Sequence, residues 1–296
     1  MAEAPVYKNL LPIKVGIICG VGYFNQKLLF APKEIEVSTI YGKPSDALLE
    51  GTIQDYTCVL LARHGRRDNI SPSCVNYRAN IWALKEIGCT HIISIYDCSS
   101  LSKGLRRGEF VVPHDIIDLT NARSNTFYDG DERSPQGVMA MSLSPPFSLH
   151  FRHVMIDIMK SLAVPVHDDA IIVCTEGPHF PTRAECKLMA EWGGEIFNSC
   201  AMPEPVLAKE IGLLYMPIAA VTNHECWNEN DYAFNKLNMH KLKHTYNQWL
   251  QTVIGRFITS IPRHNWDREL CIAKDIINDS KMPVPSRGLY TYKFLE

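Results

Sequence analysis

Short apolar runs that stop abruptly at polar or glycine-bearing points constrain this chain more than any other feature. Ile13 to Cys19 runs into Gly20-Val21-Gly22, Thr57 to Ala62 into Arg63-His64-Gly65-Arg66-Arg67, and His91 to Ile95 into Tyr96-Asp97-Cys98-Ser99-Ser100. Ile171 to Cys174 runs into Thr175-Glu176-Gly177-Pro178, and Leu213 to Val221 into Thr222-Asn223. Continuous apolar runs of this kind suit strands buried on both faces by helices. Helical patterns lie between or after them. Asn76 to Ile87 sets Tyr77, Ile81, Leu84 and Ile87 near one face. Pro203 to Ile211 carries a proline near its start, where a helix tolerates it. Leu242, Tyr246, Trp249, Leu250, Val253 and Phe257 form a 3.6-period stripe suited to covering a sheet. The alternation predicts an α/β fold: a single domain over 1–296, with a central mixed β-sheet flanked by helices. Asp129 to Pro146 reads as a long loop, and the tail beyond Pro283 as irregular.

Bulk properties narrow the function classes. A net charge of −2 with no basic stripe argues against nucleic acid as a partner. No apolar run reaches the ~18 residues of a membrane span, and Met1-Ala2-Glu3-Ala4-Pro5 is not a signal peptide. Ten cysteines without C-x-x-C spacing, with Cys19, Cys58 and Cys174 inside strand-like runs, read as reduced thiols of a cytoplasmic protein.

In open α/β sheets ligands sit just past the carboxyl ends of strands, so the run ends are the candidate site. Gly20-Val21-Gly22 lets backbone N–H groups approach an anion, or is a plain tight turn. Arg63-His64-Gly65-Arg66-Arg67 offers guanidinium forks for phosphate, or is a solvated loop. Phe180 is placed to stack on a flat ligand or to join the core, and Arg183 to Trp192 beyond it is helix-like. Glu204 needs a partner if buried; otherwise it is an exposed first-turn acid facing the helix dipole. His240 and His244, at i and i+4, are spaced as a metal pair but lack a third ligand, so no metal is expected. Asn223 can both donate and accept, which an ionised carboxylate cannot.

Five stretches together resemble the methylthioadenosine phosphorylase branch of the trimeric purine nucleoside phosphorylase family. They are Tyr41-Gly42-Lys43-Pro44-Ser45-Asp46-Ala47, Val59 to Arg66, Val75 to Lys85, Thr175-Glu176-Gly177-Pro178, and Pro203 to Glu210. The resemblance spans a core of about residues 13–262. It implies one α/β domain assembled as a homotrimer. It also implies purine salvage chemistry: phosphate-dependent cleavage of a purine nucleoside to free base and pentose 1-phosphate. Inorganic phosphate is then a co-substrate, and no cofactor takes part.

Carried over from the family, the phosphate-binding set is Val21, Arg63, His64, Tyr96, Asp97 and Cys200. Only Arg63 and His64 match the family's pattern; hydroxyl residues are usual where Val21, Tyr96 and Cys200 stand, and Asp97 repels a phosphate dianion. The substrate-binding set is Phe180, Ser199, Asn223, His224 and Glu225, with Asn223 catalytic at the base. Pro181, Lys236 and His240, with Met239 near them, fall at specificity positions. The methylthio enzymes carry aspartate where Asn223 stands; asparagine resembles the 6-oxopurine branch. The polar Lys236 and His240 suit a 5′-hydroxyl. The expectation is therefore a purine nucleoside phosphorylase favouring 6-oxopurines. The alternatives are methylthioadenosine phosphorylase and a catalytically impaired nucleoside-binding paralogue.

Overall fold

The computed structural model describes residues 7, 9–224 and 236–282, with the backbone alone at 224 and 236–240. Its strands are β1 (Val15–Cys19), β2 (Phe30–Ile35), β3 (Leu48–Ile53), β4 (Tyr56–Ala62), β5 (His91–Ser100), β6 (Phe110–Val111) and β7 (Asp115–Asp118), followed by β8 (Val138–Met139), β9 (Val166–His167), β10 (Ile171–Cys174), β11 (Ile196–Asn198), β12 (Leu214–His224) and β13 (Lys281–Met282). Its helices are α1 (Tyr77–Glu86), α2 (Leu149–Ser161), α3 (Arg183–Glu191), α4 (Glu204–Glu210), α5 (Lys236–Ser260) and α6 (Trp266–Ser280).

One 11-stranded sheet runs β2-β3-β4-β1-β5-β11-β10-β7, with β12 on the other edge of β5 and β6 and β9 beyond it. β1 is parallel to β4 and β5, and β12 is parallel to β5; β2–β3, β3–β4, β5–β11 and β6–β12 are antiparallel. The mixed sheet expected from the apolar runs is present. β1 and nearly all of β4 and β5 are buried, as continuous apolar runs require when helices cover both faces.

Successive strand residues point to opposite faces. Ile17, Leu60, Ile93 and Met216 face a cluster built from α2 (Phe151, Met155) and α5 (Tyr246, Leu250, Val253, Phe257). Ile18, Leu61, Ile92 and Tyr215 face a second cluster with α1 (Ile81, Leu84) and α4 (Leu207). The stripe read on α5 is thus the face it buries.

The folded body also reaches past residue 262. Trp266 of α6 is fully buried, 4.7 Å from the His91 ring and 5.8 Å from Phe151, so α6 completes the first cluster. The stretch 129–146 is irregular apart from β8, which pairs with β13. Residues beyond 282 lie outside the described residues. No helix among the described residues is long and apolar enough to cross a membrane.

Candidate active site

The site arises where β5 exchanges neighbours. Along one edge it pairs with β1 as far as Cys19↔Ile95, and then with β11 at Phe197↔Ser99 and Ile196↔Ser100. Between these contacts Tyr96, Asp97 and Cys98 have no strand partner on that edge, and a cleft opens. On the other edge the pairing slips, from Val221↔Cys98 to Asn223↔Ser99, so Thr222 is bulged out of register. Such bulges re-aim side chains next to active sites. The cleft, about 150 Å³, is lined by Asp97, Ser99, Phe180, Asn198, Ser199 and Asn223 among others. Three candidates from three distant runs therefore meet: Asp97, Ser199 and Asn223. Phe180 is 56% exposed at the rim, which settles its alternatives against the core. Pro181 beside it is buried and does not line the cleft.

Glycines permit the close approaches. A Cβ on Gly20 would lie 2.9 Å from the Ile95 carbonyl, to which the Gly20 N–H donates at 2.9 Å. A Cβ on Gly177, at φ +63°, would lie 2.8 Å from Ser199 Cβ. Each glycine thus holds a loop against the residues it serves.

Arg63 and Glu204 resolve together. Both are fully buried. The Arg63 Nε donates to Glu204 Oε1 at 2.5 Å, and Nη2 donates to Glu204 Oε2 (3.1 Å) and to Ser94 Oγ (2.6 Å). Nη1 donates to the Ile95 carbonyl at 3.0 Å. Burial alone would lower the guanidinium pKa, but the Glu204 carboxylate more than offsets it and Arg63 stays charged. Of the alternatives for Glu204, the buried one with a partner holds. Arg63 does not present an open fork to the cleft: its fork is closed on Glu204, and it supplies buried charge.

His64 is neutral. Its pKa falls to about 4, first because of burial and then because of the Arg63 charge. Nδ1 lies 2.7 Å from the Ile70 carbonyl, which can only accept, so Nδ1 carries the proton and Nε2 is an acceptor. Nε2 lies 3.4 Å from Cys200 Sγ. Burial, opposed by Arg63, raises the Cys200 thiol to about 11, so it remains protonated and donates to His64.

Tyr96 departs from its expected place. Its side chain is buried in the second cluster, its hydroxyl has no hydrogen-bond partner among the described residues, and it does not line the cleft. Only its backbone stands where the phosphate set was expected, because inward alternation along β5 turns Tyr96 to the core and Asp97 to the cleft. Asp97 Oδ1 accepts from the Tyr23 hydroxyl at 2.5 Å, and Oδ2 lies 2.7 Å from Lys243 Nζ. Lys243 also donates to the Val21 carbonyl at 2.6 Å, and Asn247 Nδ2 donates to the Gly22 carbonyl at 3.0 Å. The Val21 side chain itself is exposed.

Tyr23 and Lys243 escape sequence reading. The available signal was helical spacing: Lys243, Asn247 and Leu250 lie at i, i+4 and i+7, continuing the inward stripe of α5 toward the glycine turn. Asn198 positions the far wall. Its Nδ2 donates to the Asp97 carbonyl (2.6 Å), and its Oδ1 accepts from the Ala201 N–H (2.7 Å). Of His224 only the backbone is described. Glu225 and the side chains of Lys236, Met239 and His240 lie outside the described residues. His244 Nε2 lies 3.2 Å from the Gln248 amide nitrogen.

A family model described as "Phosphorylase superfamily" matches residues 14–254. The S-methyl-5′-thioadenosine phosphorylase of Drosophila melanogaster is 43% identical, with 92% of this chain and 94% of the relative covered. A purine nucleoside phosphorylase of Drosophila pseudoobscura pseudoobscura is 37% identical, with 93% and 95% covered. Among solved structures, methylthioadenosine phosphorylase from Schistosoma mansoni in complex with adenine superposes with a TM-score of 0.87 at 34% identity, covering 92% of this chain and all of that one. The sheet that gathers Asp97, Ser199 and Asn223 into one cleft is thus matched over nearly its whole length, and the chain belongs to the phosphorylase superfamily, among the purine nucleoside and methylthioadenosine phosphorylases.

Proposed function

We propose that this chain cleaves the N-glycosidic bond of a purine nucleoside with inorganic phosphate, and that methylthioadenosine is its lead substrate. The observation that carries the purine nucleoside reading is Asn223, set by the β12 bulge into the cleft that Phe180 rims, and the choice of methylthioadenosine rests on the relatives. Attack at the anomeric carbon pushes electron density into the departing purine, and a donor held at the base stabilises it. The Asn223 amide can donate from Nδ2 to N7 while Oδ1 accepts from the 6-amino group, the bidentate pairing that amides make with adenine. The relatives support the same choice: those named S-methyl-5′-thioadenosine phosphorylase include the Drosophila melanogaster protein, and the Schistosoma mansoni enzyme is seen with adenine and with tubercidin, and a mutant of it with methylthioadenosine.

Asn223 also favours a second reading, 6-oxopurine nucleosides, and this was the expectation from sequence. With the amide turned over, Nδ2 donates to O6 and Oδ1 accepts from a protonated N7. The Drosophila pseudoobscura relative named purine nucleoside phosphorylase accords with it. Methylthioadenosine is better supported because more of the similar proteins carry that name. Chromatography of base released from methylthioadenosine, adenosine, inosine and guanosine in phosphate decides between them. Adenine appearing fastest from methylthioadenosine supports the lead reading, hypoxanthine or guanine appearing fastest supports the second, and no release from any of the four refutes both.

A further inference from the structure

The charges around the glycine turn do not suit a phosphate dianion. Arg63 and Lys243 both bring positive charge to His64. Arg63 is closed on Glu204, and Lys243 on Asp97. A further carboxylate, Asp68, feels both Lys243 and Asp97. Arg63 and Lys243 are thus each neutralised by a carboxylate, and Asp68 adds negative charge near Asp97. His64 offers no N–H there, because its Nδ1 proton is turned to Ile70 and its Nε2 accepts the Cys200 proton. A phosphate dianion therefore meets the Asp97 carboxylate, and a water molecule meets a base.

We propose that this site also cleaves the nucleoside by hydrolysis, with Asp97 as the general base that activates water. The inference rests on the purine nucleoside reading above and deepens it. Each Asp97 oxygen holds one hydrogen bond, from Tyr23 or Lys243, and a carboxylate oxygen has a second lone pair for a water proton. These two donors fix the carboxylate on β5, in the cleft that also holds Ser199 and Asn223. In the step, the water oxygen bonds to the anomeric carbon while its proton passes to Asp97. The C1′–N9 bond breaks and its electron pair leaves with the purine, which Asn223 steadies and which takes a proton from solvent. Asp97 returns its proton to solvent. Nucleoside and water give free purine and free pentose, with no other reactant. Asp97 thus opposes phosphorolysis and supports hydrolysis at once.

The test uses the full chain in buffer dialysed free of phosphate, with methylthioadenosine and inosine, in water enriched in ¹⁸O. The expected result is steady release of base with ¹⁸O in the pentose. Asp97→Asn keeps the shape and should lower that release by about a hundredfold or more, the usual scale of general-base catalysis. Nucleoside binding, followed by calorimetry, should be unchanged, which separates lost chemistry from lost folding. Asp97→Ala should lose hydrolysis and lower the apparent KM for phosphate. Base released by wild type only when phosphate is added overturns the inference and leaves phosphorolysis standing. Hydrolysis that survives in Asp97→Asn overturns Asp97 as the base. A chain that binds nucleoside but cleaves it under neither condition overturns both readings.

Discussion

Glu204→Ala isolates the buried ion pair on which the wall of the site rests. Glu204 accepts from Arg63 Nε and Nη2, from Ser94 Oγ at 2.6 Å and from the Tyr215 hydroxyl at 2.8 Å, and it is fully buried. Alanine removes the acceptor for all of these donors and leaves a guanidinium without a counter-charge. Removing one partner of such a pair costs about 3–5 kcal/mol. The upper end is expected here, because each hydroxyl left unsatisfied adds ~1 kcal/mol or more. At about 2–4 °C per kcal/mol for a chain of this size, Tm should fall by roughly 6–20 °C. Arg63→Met together with Glu204→Leu removes both charges and restores apolar volume. That double variant should recover at least half of the summed loss, leaving chiefly the two hydroxyls without their acceptor. Urea and thermal unfolding of wild type, both single variants and the double variant complete the cycle. A Glu204→Ala protein within about 1 kcal/mol of wild type, or a double variant as unstable as the sum of the singles, would falsify the claim that the two residues act as one buried unit.

Three further outcomes follow from the same geometry. Asn223→Asp should raise kcat/KM for methylthioadenosine relative to inosine, since an ionised carboxylate meets O6 with no donor; an unchanged ratio means that the residue does not touch the base. His64 titrates near 4 in the folded protein and near 6.5 unfolded, so below pH 6.5 the unfolded chain binds a proton that the native one refuses. Its contribution is therefore complete above about pH 6.5 and is lost progressively toward pH 4, about 2 kcal/mol of it between pH 7 and 5; in urea unfolding at those two pH values, His64→Gln should show a correspondingly smaller loss. Gly177→Ala should cost about 1–3 kcal/mol and weaken nucleoside binding, because the new Cβ needs the space of Ser199 and the residue sits at φ +63°. Binding equal to wild type in a folded Gly177→Ala protein would separate that loop from the site.

The strands that build the site were legible because burial on both faces writes itself as unbroken apolar sequence. β1, β4, β5, β10 and β12 all follow such runs, and each run's polar end lies at the cleft or beside it, in a loop after β1, β4 and β10 and within the strand itself in β5 and β12. The stripe of α5 was legible for the same reason. α2 was not picked out, although Phe151, Val154, Met155, Ile158 and Met159 keep helical spacing, because His150, Arg152 and His153 interrupt it. Arg152 is itself buried, with Nε donating to the Pro113 carbonyl at 2.9 Å, so a charge that looks like a surface marker points inward. α6 buries only Trp266 and Leu270, too narrow a stripe to stand out. The β2–β3 hairpin was missed because nearly all of β2 is exposed, leaving little apolar pattern to read.

The chemistry of the site was legible one residue at a time but not in pairs, and the pairs decide it. Sequence identified Arg63 as a phosphate fork and Glu204 as an acid in need of a partner; the fold makes each the answer to the other across 141 residues. It identified Asp97 as a repulsive charge but gave no sign of Lys243 and Tyr23, which fix that carboxylate in place. A long-range ion pair leaves no periodic trace, because neither partner need have any particular neighbour in sequence. Burial then changes what each group can do: His64 loses its charge and turns a lone pair toward Cys200, while Arg63 keeps its charge but closes its fork. Residues retained from the family therefore need not retain the family's donors, and the residue that departs furthest from its pattern, Asp97, sits in the cleft with lone pairs to spare.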